Sequence, residues 1–424
     1  MTLRLLTRRA LGALALALTF TSYAAAQGGD VRLDVRSGEV ARLPLLCEGL
    51  KGPATGPASA RMADDVLAAD LQASAVFEVQ RAWAPAGAAA AAAQFVTLGT
   101  WSVSGSQVRF RGELRDLPAR QLILAKDYAG PAADWRRLVH RFADDCVQQI
   151  TGERGVADTR IAFVVKEGRD KELWVMDADG ANARPLTADR SIAQSPSWSP
   201  EGSLLLWTSW RGGAGPGIWV MSPEQRKPFL VSGRKGLNTS ASYSPDGQYI
   251  VCTLSLDGNA EVYRLDARGG NPQRLTNSRS IDTSPAWSPT MREIAFTSDR
   301  TGQPQVHVMD ADGSNLRRLT YDADYTDSPA WSPKGDRIAF VNRVGGGFDI
   351  WVARADGSGA RPVVTGGNNE NPRWSPDGRH LVFASDRDGA YGLWVSSLDG
   401  AMPRKLDTGG RRAMSPAWSP RRSN

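Results

Sequence analysis

Residues 283–313 read TSPAWSPTMREIAFTSDRTGQPQVHVMDADG, one full statement of a pattern that governs most of the chain. Ser284-Pro285-Ala286-Trp287 is too short and too proline-bearing for a helix and reads as a strand. Ile294-Ala295-Phe296-Thr297 is a second, wholly apolar strand, as a sheet buried on both faces requires. Ser298-Asp299-Arg300, soon followed by Gly302, turns it into a third strand, 306–309. Asp312-Gly313 then opens a fourth at Arg317-Arg318-Leu319-Thr320.

The same phrase recurs on both sides. Its aromatic anchors are Trp198, Tyr243, Trp287, Trp331, Trp374 and Trp418, each followed by Ser-Pro, at spacings of 45, 44, 44, 43 and 44 residues. A self-similar period of about 40–45 residues is that of a four-stranded propeller blade. One blade cannot cover both faces of its own sheet, so blades must pack in a ring, with the large anchor side chains between them. Residues 161–187 supply later strands but lack a Trp-Ser-Pro strand, and residues 414–420 supply that strand alone. Joined, the two fragments make a sixth blade and leave no open edge.

Upstream, residues 27–152 carry no repeat. Stretches 31–35, 43–47, 77–81, 95–102, 108–114 and 122–126 read as strands. Ser59 caps a helix with an apolar face of Met62, Val66, Leu67 and Leu71. Asp134 opens a second helix, with Trp135, Leu138, Val139, Phe142, Cys146, Val147 and Ile150 on one face and Gly152 stopping it. Residues 1–26 have the three parts of an export signal: basic Arg4, Arg8 and Arg9, an apolar run over 10–20, and Ala24-Ala25-Ala26. The expected architecture is therefore a signal peptide (1–26), a small N-terminal α/β domain (27–152) and an all-β six-bladed propeller (153–424). The propeller should close by pairing its N- and C-terminal strands.

The chain carries 51 basic and 45 acidic side chains; without Arg4, Arg8 and Arg9, 48 face 45. The remaining arginines are scattered beside turns, so no nucleic-acid partner is expected. No later apolar run reaches the roughly 20 residues of a membrane span, which predicts no direct membrane insertion and a soluble mature chain; a monomer is expected. Cys47 and Cys146 can pair in an oxidising compartment or stay separately buried; both readings stand. Cys252 lies in an apolar strand.

Catalysis is not expected, and neither is a cofactor or metal. Three positions before the anchors stand Ser195, Ser240, Ser284, Ser328, Asn371 and Ser415, where a metal-dependent hydrolase would need carboxylates or imidazoles. Such a ring suits hydrogen bonds to neighbouring backbone. Asp177-x-Asp179-Gly180 and Asp310-x-Asp312-Gly313 begin like calcium loops but lack the distal Glu and read as hairpin turns. Four positions before the anchors stand Gln194, Thr239, Thr283, Asp327, Glu370 and Met414, a varied polar rim that suits recognition on a rigid scaffold. The competing reading is a secreted propeller hydrolase or a carbohydrate-binding propeller that uses the central channel.

This order of segments resembles the TolB family of the Tol-Pal system. The likeness is carried by Asp30-Val31-Arg32-Leu33 with Ser37-Gly38, by His140, Asp144 and Thr151-Gly152 running into Thr159-Arg160-Ile161-Ala162, and by Pro416-Ala417-Trp418-Ser419-Pro420. The resemblance implies a non-enzymatic periplasmic adaptor that supports outer-membrane integrity and constriction during division. It implies a propeller that binds the peptidoglycan-associated lipoprotein Pal and an N-terminal segment that binds the inner-membrane protein TolA. Carried over by position, the Pal-facing loops are Leu237, Thr239, Ser240, Asp282, Thr283, Asp327 and Glu370, with Leu237 where the family has His. The TolA-type segment is Asp30, Val31, Arg32, Leu33, Asp34 and Val35, Asp34 standing where the family often has an apolar residue.

Overall fold

The computed structural model describes residues 42–424, apart from 54–55, 57, 83–92, 214, 322, 399–401 and 423–424. The export-signal stretch and the segment Asp30, Val31, Arg32, Leu33, Asp34 and Val35 lie outside the described residues.

The N-terminal region is one sheet under two helices. Strand β1 (Leu43–Lys51) runs through helix α1 (Ala60–Ala73) to a parallel β2 (Phe77–Arg81). Then β3 (Phe95–Ser104), β4 (Gln107–Asp116) and β5 (Gln121–Pro131) follow, giving the order β2-β1-β3-β4-β5. Helix α2 (Trp135–Thr151) ends on left-handed Gly152 at φ 77°. Alternate residues Val108, Phe110 and Leu114 of β4 are buried, and the Phe110 ring meets Phe142 of α2 edge-on at 5.2 Å. Gly112 lets the helix come this close, since a Cβ there would stand 2.6 Å from the Phe142 ring.

Three of the four residues of the apolar face expected for α1, Val66, Leu67 and Leu71, are buried. The fourth, Met62, is 42 % exposed, while Ala60, Ala63, Asp64, Ala68 and Asp70 join the buried face. The buried face is wider than the apolar pattern, because two aspartates have partners inside. Asp64 accepts the Leu50 N–H at 2.8 Å, and Asp70 meets His140. Cys47 and Cys146 are both buried free thiols here, with no bridge between them. Burial pushes the Cys47 thiol up to about 11.

Six four-stranded antiparallel sheets form the propeller. Their inner strands are Ala193–Trp198, Asn238–Tyr243, Asp282–Trp287, Thr326–Trp331, Asn369–Trp374 and Arg412–Trp418. The first five open blades 1 to 5 in chain order. Blade 6 is composite: Arg412–Trp418 pairs with Arg160–Glu167, which continues into Asp170–Asp177 and Arg184–Pro185. The closing register sets Trp418 against Ile161, Ala417 against Ala162 and Met414 against Val164. Trp418 Nε1 donates to Thr159 Oγ1 at 2.8 Å, and Ser419 N–H donates to the Arg160 carbonyl at 2.8 Å. Anchors fill the seams as expected: Trp198 of blade 1 packs with Ala162, Leu173, Val175 and Ala417 of blade 6. Outer strands are shorter than the pattern suggests, with Arg317–Arg318 alone paired in blade 3.

Blade 6 also carries the α/β region. His140 Nδ1 lies 2.6 Å from Asp70 Oδ2, and its Nε2 lies 3.8 Å from Asp179 Oδ2 on the turn after Asp170–Asp177. Arg136 of α2 bonds the same Asp179 carboxylate. Burial opposes a charge on this imidazole, but Asp70 and Asp179 outweigh it and push its pKa up to about 9. Just beyond, Asp144 accepts the N–H groups of Ala157 (2.7 Å) and Asp158 (3.0 Å) and folds the linker back onto α2. Among the described residues, no helix is long and apolar enough to cross a membrane.

Candidate functional site: the channel and its rim

The inner strands share one irregularity. In each blade two residues oppose one on the second strand, as where Thr283 faces Thr297 but Ala286 faces Ala295. Equivalent shifts fall between Gln194 and Ser197, Thr239 and Ser242, Asp327 and Ala330, Glu370 and Arg373, and Met414 and Ala417. The first bulge residue is the Ser or Asn of the expected ring, and each is left-handed: Ser195 at φ 49°, Ser240 52°, Ser284 53°, Ser328 54°, Asn371 53° and Ser415 48°. The second is Pro in five blades and Ala241 in blade 2, at a place with no ladder hydrogen bond to give.

That changes the meaning of the ring. Glycine is the usual residue at such a bulge, and a non-glycine residue there holds about 1–3 kcal/mol of strain. The expected role in bonding neighbouring backbone is not the main one. Asn371 Nδ2 reaches Ser328 Oγ at 3.5 Å, and the Ser240 main-chain N–H, not its hydroxyl, donates to Thr208 Oγ1 of blade 1 at 3.2 Å. The ring's shared feature is a backbone bend that turns each inner strand along a channel of about 540 Å³. Serines, prolines, the anchor aromatics and Arg373 line it.

One residue before each bulge, Gln194, Thr239, Thr283, Asp327, Glu370 and Met414 are all half-buried. Asp327 accepts from Thr297 Oγ1 of blade 3 at 2.7 Å and from Tyr325 OH at 3.3 Å. Glu370 accepts from Tyr391 OH at 2.7 Å. Leu237, just before the blade 2 strand, is 42 % exposed. Asp282 departs from the expectation that it faces a partner. It is fully buried and ion-paired to Arg300 at 2.8 Å, because successive strand residues point to opposite faces. Asn238 and Asn369 fill the same buried column.

The aspartate turns behave as turns: Asp179 Oδ1 accepts Ala181 N–H and Asp312 Oδ1 accepts Ser314 N–H, both at 2.9 Å. What sequence reading missed is the second oxygen of Asp179, which engages Arg136 and His140 across the junction. Asp70, His140 and Asp179 lie close enough to share an ion. The Arg136 guanidinium bonded to Asp179 supplies the positive charge there instead.

Comparison with known proteins places this geometry. Residues 147–422 match the family model described as the TolB beta propeller domain. The Tol-Pal system protein TolB of Anaeromyxobacter dehalogenans (strain 2CP-1 / ATCC BAA-258) is 37 % identical over 285 residues, covering 64 % of this chain and 65 % of its own length. That of Desulfosudis oleivorans is 33 % identical over 186 residues, 44 % of this chain and 42 % of its own. Each match thus spans less than two thirds of the relative's length. The crystal structure of TolB from Acinetobacter baumannii superposes with a TM-score of 0.80 at 25 % identity, covering 90 % of this chain and 98 % of that one.

Proposed function

The chain belongs to the TolB β-propeller family, and from that membership we propose that it is a non-enzymatic periplasmic adaptor. A Pal-like peptidoglycan-associated lipoprotein docks on the rim through Leu237, Thr239, Ser240, Thr283, Asp327 and Glu370. Asp282 supports that face from beneath. The segment Asp30, Val31, Arg32, Leu33, Asp34 and Val35 engages a TolA-like inner-membrane protein. The adaptor so formed supports outer-membrane integrity and constriction at division.

The observation that carries this reading is the contrast between bulge and rim. Six like bends hold side chains of five different types, Gln, Thr, Asp, Glu and Met, around one opening, which suits recognition by a rigid surface. The side chains along the channel, Ser, Asn, Pro, Ala, aromatic rings and arginine, offer no general base or metal ligand set. The test is calorimetry of the mature protein against a purified Pal-like periplasmic domain, with Thr283→Arg as the variant. Loss of about tenfold or more in affinity is expected from a bulky charge at the centre of an interface. Unchanged affinity would move the face elsewhere, and no binding by the wild type would end the adaptor reading.

A further inference from the structure

One side chain in the channel breaks the six-fold pattern. Immediately before the anchors stand Ser197, Ser242, Ala286, Ala330, Arg373 and Ala417. Five are small and uncharged; at this position blade 5 alone carries a guanidinium, and it lines the channel. Its one hydrogen bond is local, from Nη1 to the carbonyl of Pro372, its own neighbour, at 2.8 Å. The remaining donors of the fork are not committed to any described residue. Asp327 is the carboxylate that acts on it electrostatically, yet the two form no ion pair. The oxygens of Asp327 already serve Thr297, Tyr325 and the Ser328 N–H. Arg421, the other cation at the channel wall, is spent on the carbonyls of Gly155 and Arg154.

A guanidinium with open donors inside a protein channel is a preformed receptor for a planar oxyanion. We propose that the channel binds a small monoanionic carboxylate at Arg373, a ligand site separate from the protein-binding rim. Single charge follows from the local balance: one cation is open inside, while Asp327 and Glu370 at the rim repel a multiply charged anion. Ser195, Ser240, Ser284, Ser328 and Asn371 line the same space and can serve polar groups on the ligand. At about 540 Å³ the channel admits a small organic acid, not only an ion.

The experiment is saturation-transfer NMR on the mature protein with sodium acetate as probe, acetamide as its uncharged isostere and inorganic phosphate as the competing oxyanion. Acetate is expected to bind saturably at about millimolar concentration. Acetamide should give no saturable signal, and phosphate should compete less well than acetate. Arg373→Ala should weaken acetate by roughly tenfold or more, the usual scale for a charged hydrogen bond. This variant should fold, because Ala286, Ala330 and Ala417 already occupy the same position in other blades. Arg373→Gln serves as a second variant with the same expected loss. Equal acetate binding by the variants, or no acetate binding by the wild type, overturns the proposal. Tighter phosphate than acetate overturns the carboxylate class. Neither result depends on whether a lipoprotein docks at the rim.

Discussion

Blades 3 and 6 are the same sheet made in two ways. Blade 3 is drawn from one continuous stretch, its inner strand Asp282–Trp287 turning directly into Glu293–Ser298. Blade 6 reaches the same four-stranded order by pairing Arg412–Trp418 with Arg160–Glu167, strands that lie far apart in sequence. Loop-closure entropy rises only slowly with length, so the price of this long closure is modest and falls on one ladder. The same blade also fastens the α/β region, through Asp179 on the turn after Asp170–Asp177. The contrast teaches that ring closure and domain docking share one blade, while blades 1 to 5 can vary their rims freely.

The most damaging way to break the comparison is to delete residues 412–424. This strips Ala413, Ala417 and Trp418 from the blade 6 core and bares the edge of Arg160–Glu167. Loss of the cooperative calorimetric transition, with aggregation, is the expected outcome. An intact transition would mean that the ring does not need its sixth inner strand.

Next in size is the junction. His140→Ala takes its partner from the buried Asp70 carboxylate and should destabilise by about 3–5 kcal/mol in denaturant unfolding. The wild type gives the matching pH signature. Because the folded pKa of His140 is raised from 6.5 to about 9, its contribution is full below pH 6.5 and is lost as pH rises through 9. The variant should show no such decline in that window. A decline of equal size in both would assign the effect to other groups.

The smallest expected change sharpens the comparison. Ser284→Gly in blade 3 and Ser415→Gly in blade 6 each relieve a left-handed non-glycine residue and should stabilise by up to about 1 kcal/mol. Equal gains would show that the bend is local to each inner strand. A larger gain at Ser415 would show that closing the ring adds strain there.

Much of this fold was legible because its signals are local and repeated. The Trp-Ser-Pro phrase and the two half-blades at 161–187 and 414–420 specify a closed ring without any long-range information. The α2 face was legible for the same reason, as a regular run of large apolar residues. Other features depend on contacts that a linear pattern does not carry. Met62 fits the apolar pattern of α1 and yet is exposed, while Asp64 and Asp70 turn inward to partners, Leu50 and His140, that lie in other elements. Asp282, which the family resemblance places with Thr283 on the rim, is buried instead, because a one-residue step along a strand reverses the face. The left-handed serines were visible as a column but not as a conformation, since serine, unlike glycine, does not announce positive φ.

Ring closure by the two distant strands is tested most directly by native-state hydrogen exchange, with the strand 293–298 of blade 3 as internal reference. The amides of 161–165 and 413–418 should exchange together, and as slowly as that reference. Fast exchange over 413–418 beside protected amides at 161–165 would contradict the closed ring.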